Sequence, residues 1–199
     1  MEEKKIITIS REFGSGGRSI GKAAAEKLGI PYYDKELIKQ VAEKTGFAPE
    51  YIEETGEYTK SKWSLVSGIP GVSDVMGGMS AADYLWMMQR NVILDLAAKG
   101  SCVIVGRCAD YILKDRSDCL HVFIHASSSF RSERIIRLYG ESEKKPEDRL
   151  NDKDNKRRIN YEHYTNREWG VCRNYTVSLD SGVIGIEHCV DLLVSLVQL

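Results

Sequence analysis

The chain has 199 residues, enough for one core that hides roughly 70% of its unfolded surface and short for two full domains. Its 42% hydrophobic and 29% charged residues are ordinary for a soluble globular protein, and its net charge of −1 lacks the cationic excess that general nucleic-acid binding requires. The apolar run at Ile6 is too short for a signal sequence and no stretch approaches a membrane span; the five cysteines, at 102, 108, 119, 172 and 189, show no C-x-x-C spacing, so free thiols and a cytoplasmic location are expected.

Residues 5–10 are β-branched and apolar and are bounded by a glycine-rich loop, the pattern of a buried parallel strand. Residues 19–28, with Ala23, Ala24, Ala25 and Leu28, predict a helix that stops at Gly29. Pro31-Tyr32-Tyr33 reads as a short strand, and Asp34 as the N-cap of a helix with the stripe Leu37, Ile38, Val41 and Ala42. Residues 48–54 predict a short helix. From about 57 to 80 the chain is rich in Gly, Ser and Met around Pro70 and has no period, which predicts a mobile flap or an oligomer contact.

Helices are predicted over 81–99, over 109–113 and from Ser127, strands over 102–105, 120–124 and 175–179, and a closing helix from Gly185. Residues 141–173 carry dense charge of both signs. Helices alternating with short apolar strands predict an α/β fold in which one parallel sheet is covered on both faces. His121 and His125 share a strand face with Phe123, which predicts edge or core residues, while Trp63, Trp86 and Trp169 form no spaced set.

The segment Ser10-Arg-Glu-Phe-Gly-Ser-Gly-Gly-Arg-Ser19 lies between a buried strand and a helix, the setting of a phosphate loop. Glycines let the backbone point its N–H groups inward, and the helix start adds a partial positive charge. The candidate phosphate ligands are Gly14, Ser15, Gly16, Gly17, Arg18 and Ser19, with the Ser19 hydroxyl placed to hold Mg²⁺. Against G-x-x-x-x-G-K-S/T, Glu12 replaces the first glycine and Arg18 the lysine; Lys22 compensates only by reaching back over the loop. A ligand-free turn would spend three glycines without a reason. A dinucleotide loop fails on spacing, since its third glycine falls at Ser19.

With these residues placed, the chain resembles the cytidylate kinase-like branch of the nucleoside monophosphate kinases over nearly its full length. The resemblance is carried by Ile-Thr-Ile-Ser-Arg-Glu-Phe-Gly-Ser-Gly-Gly-Arg-Ser, Tyr32-Tyr33-Asp34, Val105-Gly106-Arg107, Asp152-Lys-Asp-Asn-Lys-Arg157-Arg158 and Val177-Ser-Leu-Asp-Ser181. It implies a single three-layer α/β/α P-loop kinase domain over 1–199, with an acceptor site and a lid of about 141–173. It further implies ATP as phosphoryl donor with Mg²⁺, and a nucleoside monophosphate such as CMP or dCMP, or a similar small molecule, as acceptor.

By the same resemblance Arg107 grips the acceptor phosphate beside Asp34, and a surface arginine capping a loop is the alternative. Arg149, Lys153 and Arg157 fall at i, i+4 and i+8, so a helix presents all three on one side. In a lid they, with Arg158, would neutralise the transferring phosphate, and a solvated helix face of alternating charge is the alternative; Arg18, Arg107, Arg157 and Arg158 are the catalytic candidates. Tyr161 and Tyr164 on that helix are candidates for stacking on a base or for helix packing.

The chain departs from the family at Val105 and Cys108, where aspartates flank the Gly-Arg pair. Asp110 is then the nearest carboxylate for Mg²⁺, and Gln89-Arg90 the nearest match to a second acceptor-site arginine. Three functions stay open: nucleoside monophosphate kinase, nucleotide-binding regulator with little turnover, and P-loop kinase of a non-nucleotide molecule. No membrane or nucleic-acid partner is expected, and a homo-oligomer is compatible.

Overall fold

The computed structural model describes residues 6–57 and 79–198, so nearly all of the expected flap, Trp63 included, lies outside the described residues. Five parallel strands form one sheet in the order β2-β3-β1-β4-β5: β1 Ile6–Arg11, β2 Tyr32–Tyr33, β3 Cys102–Val105, β4 Cys119–His125 and β5 Val177–Asp180. β1 is central. Ile6 pairs with Cys102 on one side and Cys119 on the other.

Strand alternation explains the two cores. Ile6 joins the cluster built by α2 (Lys35–Thr45), α3 (Pro49–Glu57) and α4 (Ala81–Lys99), through Leu37, Val41, Ile52, Leu85 and Ile93. Ile7 and Ile9 point the other way, onto Ile20 and Ala24 of α1 (Gly17–Leu28) and Val190 and Leu193 of α9 (Ile186–Val197). Each such aliphatic side chain contributes roughly 1.5–3 kcal/mol on full burial, so both faces of the sheet are strongly held. The result is the expected three-layer α/β/α arrangement.

The remaining helices lie beyond the carboxyl ends of the strands or link them: α5 Ala109–Ile112, α6 Ser128–Tyr139, α7 Pro146–Thr165 and α8 Ser181–Ile184. Ser127 caps α6 by accepting the Phe130 amide at 3.3 Å. The five cysteines are free. His121 sits within the sheet, its Nδ1 2.8 Å from Thr8 Oγ1. One cap is corrected: Asp34 occupies the N-cap position of α2 but its side chain caps nothing, because its carboxylate is drawn to Arg18 instead. Among the described residues no helix is long and apolar enough to cross a membrane.

Candidate functional site

The loop from β1 to α1 is shaped by residues with no room for a side chain. Gly14 and Gly16 take φ of +83° and +87°, where a Cβ is penalised. A Cβ on Gly14 would stand 2.9 Å from the Arg131 carbonyl oxygen, and one on Gly17 would stand 2.6 Å from Arg11 Cβ. On Gly16 it would run into Ile186 at the start of α9. The loop is therefore clamped between α6, α9 and the end of β1 at the opening of a twelve-residue helix, the geometry that favours an anion.

Glu12, the departure at the first glycine position, has a structural task. Its carboxylate accepts the Ala126 amide at 3.2 Å and pairs with Arg131 Nε at 3.4 Å, tying the loop to the segment that enters α6. Burial raises its pKa against the lowering effect of Arg131. Ser15 is fully buried: its hydroxyl donates to the Glu12 carbonyl at 2.9 Å, its carbonyl accepts the Ser181 hydroxyl, and it does not line the cavity, so it braces the loop rather than facing a ligand.

Arg18, at the lysine position, is held sideways by Asp34: Nε lies 2.9 Å from Oδ2, and Nη2 donates to Oδ1 at 3.2 Å. Both residues expected to bind different substrates are thus engaged with each other at the mouth of the loop. The side chain over the loop itself is Arg134 of α6, whose Nη2 donates to Ser19 Oγ at 2.9 Å. A Cβ on Gly16 would lie 3.5 Å from Arg134 Nε. Burial, then Arg137, lowers the Arg134 pKa. Sequence reading missed Arg134 because 115 residues separate it from Ser19. Lys22 points along its own helix toward Glu26.

The charged helix α7 also reaches the loop. Asp154 accepts the Phe13 amide at 2.7 Å and pairs with Arg131 and Arg157, while Arg157 Nη1 donates to the Arg11 carbonyl at 3.2 Å. The Phe13 ring stacks on Tyr139 with centroids 5.9 Å apart.

Two adjoining cavities result. One of about 70 Å³ lies against Gly14, Gly16, Gly17 and Ser19 and is faced by Arg11, Arg18, Arg134 and Arg157. It is roughly five times the 10–15 Å³ that one water needs. The second, of about 310 Å³, is lined by Arg18, Lys144, Arg149, Lys153 and Arg157 against only Glu53 and Asp152. Arg149, Lys153 and Arg157 do share one side of α7, as their spacing predicted. Arg158 lies on the exposed side of α7, donates to Asn155 Oδ1 at 3.0 Å and lines neither cavity.

Arg107 lies elsewhere. It is buried, in a left-handed conformation with φ 58°, and its Nη1 donates to the Ile52 carbonyl at 3.0 Å and to Gln89 Oε1 at 3.1 Å. It is not a surface arginine, and it joins α3 to α4 in that state. Gln89 is its partner; Arg90 is exposed. Tyr164 stacks on Trp86 at 4.4 Å and Tyr161 donates to Asp110 Oδ2 at 2.7 Å, so both tyrosines of α7 are used in helix packing.

Asp110 lines neither cavity and is buried, which pushes its pKa up to about 6, partly opposed by the Tyr161 hydrogen bond. A folded pKa above the unfolded 3.8 means that its proton favours the fold, fully below pH 4 and progressively less as pH rises through 6. That loss is about 1.4 kcal/mol per pH unit across the window. Asp110→Asn removes the dependence while keeping an acceptor for Tyr161. Urea denaturation at pH 4 and pH 7 is expected to show the variant gaining on the wild type as pH rises.

The donor set suits a polyphosphate: a glycine cradle at a helix start, faced by guanidinium groups and a hydroxyl. For Mg²⁺ the loop offers the Ser19 hydroxyl, and among the described residues no cluster of three His, Cys, Asp or Glu side chains stands ready. Such an ion would be held mainly by phosphate oxygens and water, with Ser19 completing its shell.

Comparison with known proteins agrees with this architecture. The profile of the "Cytidylate kinase-like family" matches residues 6–183. No curated protein matches the chain by sequence. Among solved structures, an uncharacterized protein from Eubacterium ventriosum ATCC 27560 is 26% identical, with a TM-score of 0.72, over 98% of this chain and 99% of that one. Shikimate kinase from Bacteroides thetaiotaomicron, 18% identical, has a TM-score of 0.57 over 98% and 99% of the two chains. A gluconokinase from Sinorhizobium meliloti 1021, 17% identical, has one of 0.53 over 100% and 96%. These two share the fold, and together with the family match over the whole sheet they place the protein among P-loop kinases: the chain belongs to the cytidylate kinase-like family.

Proposed function

We propose that the protein transfers the γ-phosphoryl group of ATP to a small acceptor, with a nucleoside monophosphate such as CMP or dCMP as the first candidate. The observation that carries this reading is the glycine cradle opening α1, faced by Arg11, Arg18, Arg134 and Arg157. Phosphoryl transfer is mostly positioning and charge neutralisation, and these groups surround one volume.

In this reading the amides of residues 14–19 and Arg134 hold the donor phosphates. Arg18, released from Asp34, adds a cation at the β/γ pair. The acceptor occupies the larger cavity under the lid, where Arg149, Lys153 and Arg157 draw its anionic group toward the γ-phosphorus and exclude water. Bound Mg²⁺ would neutralise charge on the β- and γ-phosphates. Arg107 contributes by joining α4 to α3, which lines that cavity through Glu53, or, once freed from Gln89, by binding the acceptor itself. The protein works in the cytoplasm, in keeping with its free thiols.

The test is a coupled ADP-release assay with Mg-ATP across nucleoside monophosphates, shikimate and gluconate, paired with titration calorimetry of Mg-ATP. ADP release at least ten times background on one acceptor is expected. A second reading, nucleotide binding without turnover, is favoured by the pairing of Arg18 with Asp34 and of Arg134 with Ser19. Binding heat with no product on any acceptor would select it.

A further inference from the structure

Asp154 brings a carboxylate into the phosphate loop from a helix far along the chain. One oxygen accepts the Phe13 amide at 2.7 Å; the other is held by Arg131 Nη1, and Arg157 Nη1 lies 3.6 Å from the first. The carboxylate-bearing side chain is only 16% exposed. A loop amide plus two guanidinium groups is the donor set that proteins use for phosphate oxygens. Asp154 itself lines neither cavity, but Phe13 and Arg157, two of the residues it holds, line both, so its grip bears on groups that face the volume a polyphosphate would enter.

We propose that Asp154 is an internal stand-in for a phosphate, which latches α7 onto the glycine loop and must be displaced when a polyphosphate enters. The inference rests on the reading of this loop as a phosphate site. Displacement is feasible because the arginines keep other partners: Arg131 retains Glu12 and the Phe13 carbonyl, and Arg157 retains the Arg11 carbonyl. Asp154 thereby sets apparent affinity, since a ligand that binds only unlatched molecules is weakened by the fraction that are latched. The latch also reports ligand entry to α7, because freeing Asp154 releases Arg157 toward the incoming anion.

The test uses the full chain carrying Asp154→Asn or Asp154→Ala. Asparagine keeps an acceptor for the Phe13 amide but presents an N–H to the arginines; alanine removes every contact. Without ligand, the Phe13 amide is expected to exchange its hydrogen about ten times faster in Asp154→Ala than in the wild type. Calorimetry with inorganic tripolyphosphate is expected to show Asp154→Asn binding about ten-fold tighter, as for a latch closed in nine molecules of ten.

Asp148→Asn, the same charge change at an exposed position of α7, controls for bulk electrostatics and is expected to stay within about two-fold of the wild type. Equal or weaker binding by Asp154→Asn overturns the proposal alone and makes Asp154 an organiser of the arginines. Unchanged Phe13 exchange in Asp154→Ala likewise overturns it. No tripolyphosphate binding by any form overturns it together with the phosphate-site reading.

Discussion

Gly14→Ala is expected to lower stability by about 2–5 kcal/mol and to abolish measurable Mg-ATP binding. Two costs add. The residue sits at φ +83°, which penalises an L side chain by roughly 1–2 kcal/mol. Its new methyl would also lie 2.9 Å from the Arg131 carbonyl oxygen and 3.0 Å from the Cγ2 atom of Ile135, a residue with no exposed surface, and such overpacking costs about 1–3 kcal/mol. Neither neighbour is a mobile side-chain tip. Relief requires α6 to move away from the loop, taking Arg134 with it, so a cation that faces the glycine cradle is lost along with the packing. Thermal denaturation should show a fall of about 5–15 °C. A normal melting temperature would mean that α6 is not braced on Gly14.

Arg157→Ala is expected to cut kcat by about 1,000-fold, the scale of losing a fork of donors aimed at transition-state charge. Arg157 faces both cavities, its guanidinium lies 5.8 Å from the Phe13 ring, and its side chain is 10% exposed, so water screens it poorly. Arg157→Lys keeps the charge but loses the second donor arm, and a partial recovery of about ten-fold is expected. The diagnostic is the split: steady-state kinetics should show kcat falling far more than KM for ATP rises. A KM effect alone would make Arg157 a ground-state anchor.

The layers of the fold were legible because their signals are local. The apolar runs of β1, β3 and β4 and the stripe of α2 state their burial within a few residues, and the spacing of Arg149, Lys153 and Arg157 states a shared helix face. Asp34 shows where such reasoning ends. Its place before α2 correctly marks a helix start, yet the carboxylate serves Arg18, a partner reached only once β2 lies beside β3. The same limit hid Arg134 and the task of Glu12, since each acts across a contact that no window of sequence contains. Arg107 stood out by its Gly-Arg setting, but its partners Gln89 and Ile52 come from two other helices. Pairing among charges is decided by tertiary approach, which local pattern does not encode.

The central place of β1 bears on how the protein is made. This first strand finds its neighbours at Cys102 and Cys119, so it must wait on the ribosome until more than half of the chain has emerged. Until then its Ile-Ile-Thr-Ile run is an unpaired, sticky edge that a chaperone would need to shield. The glycine turn behind it stays shapeless over the same interval, which makes ligand competence one of the last properties the nascent protein acquires.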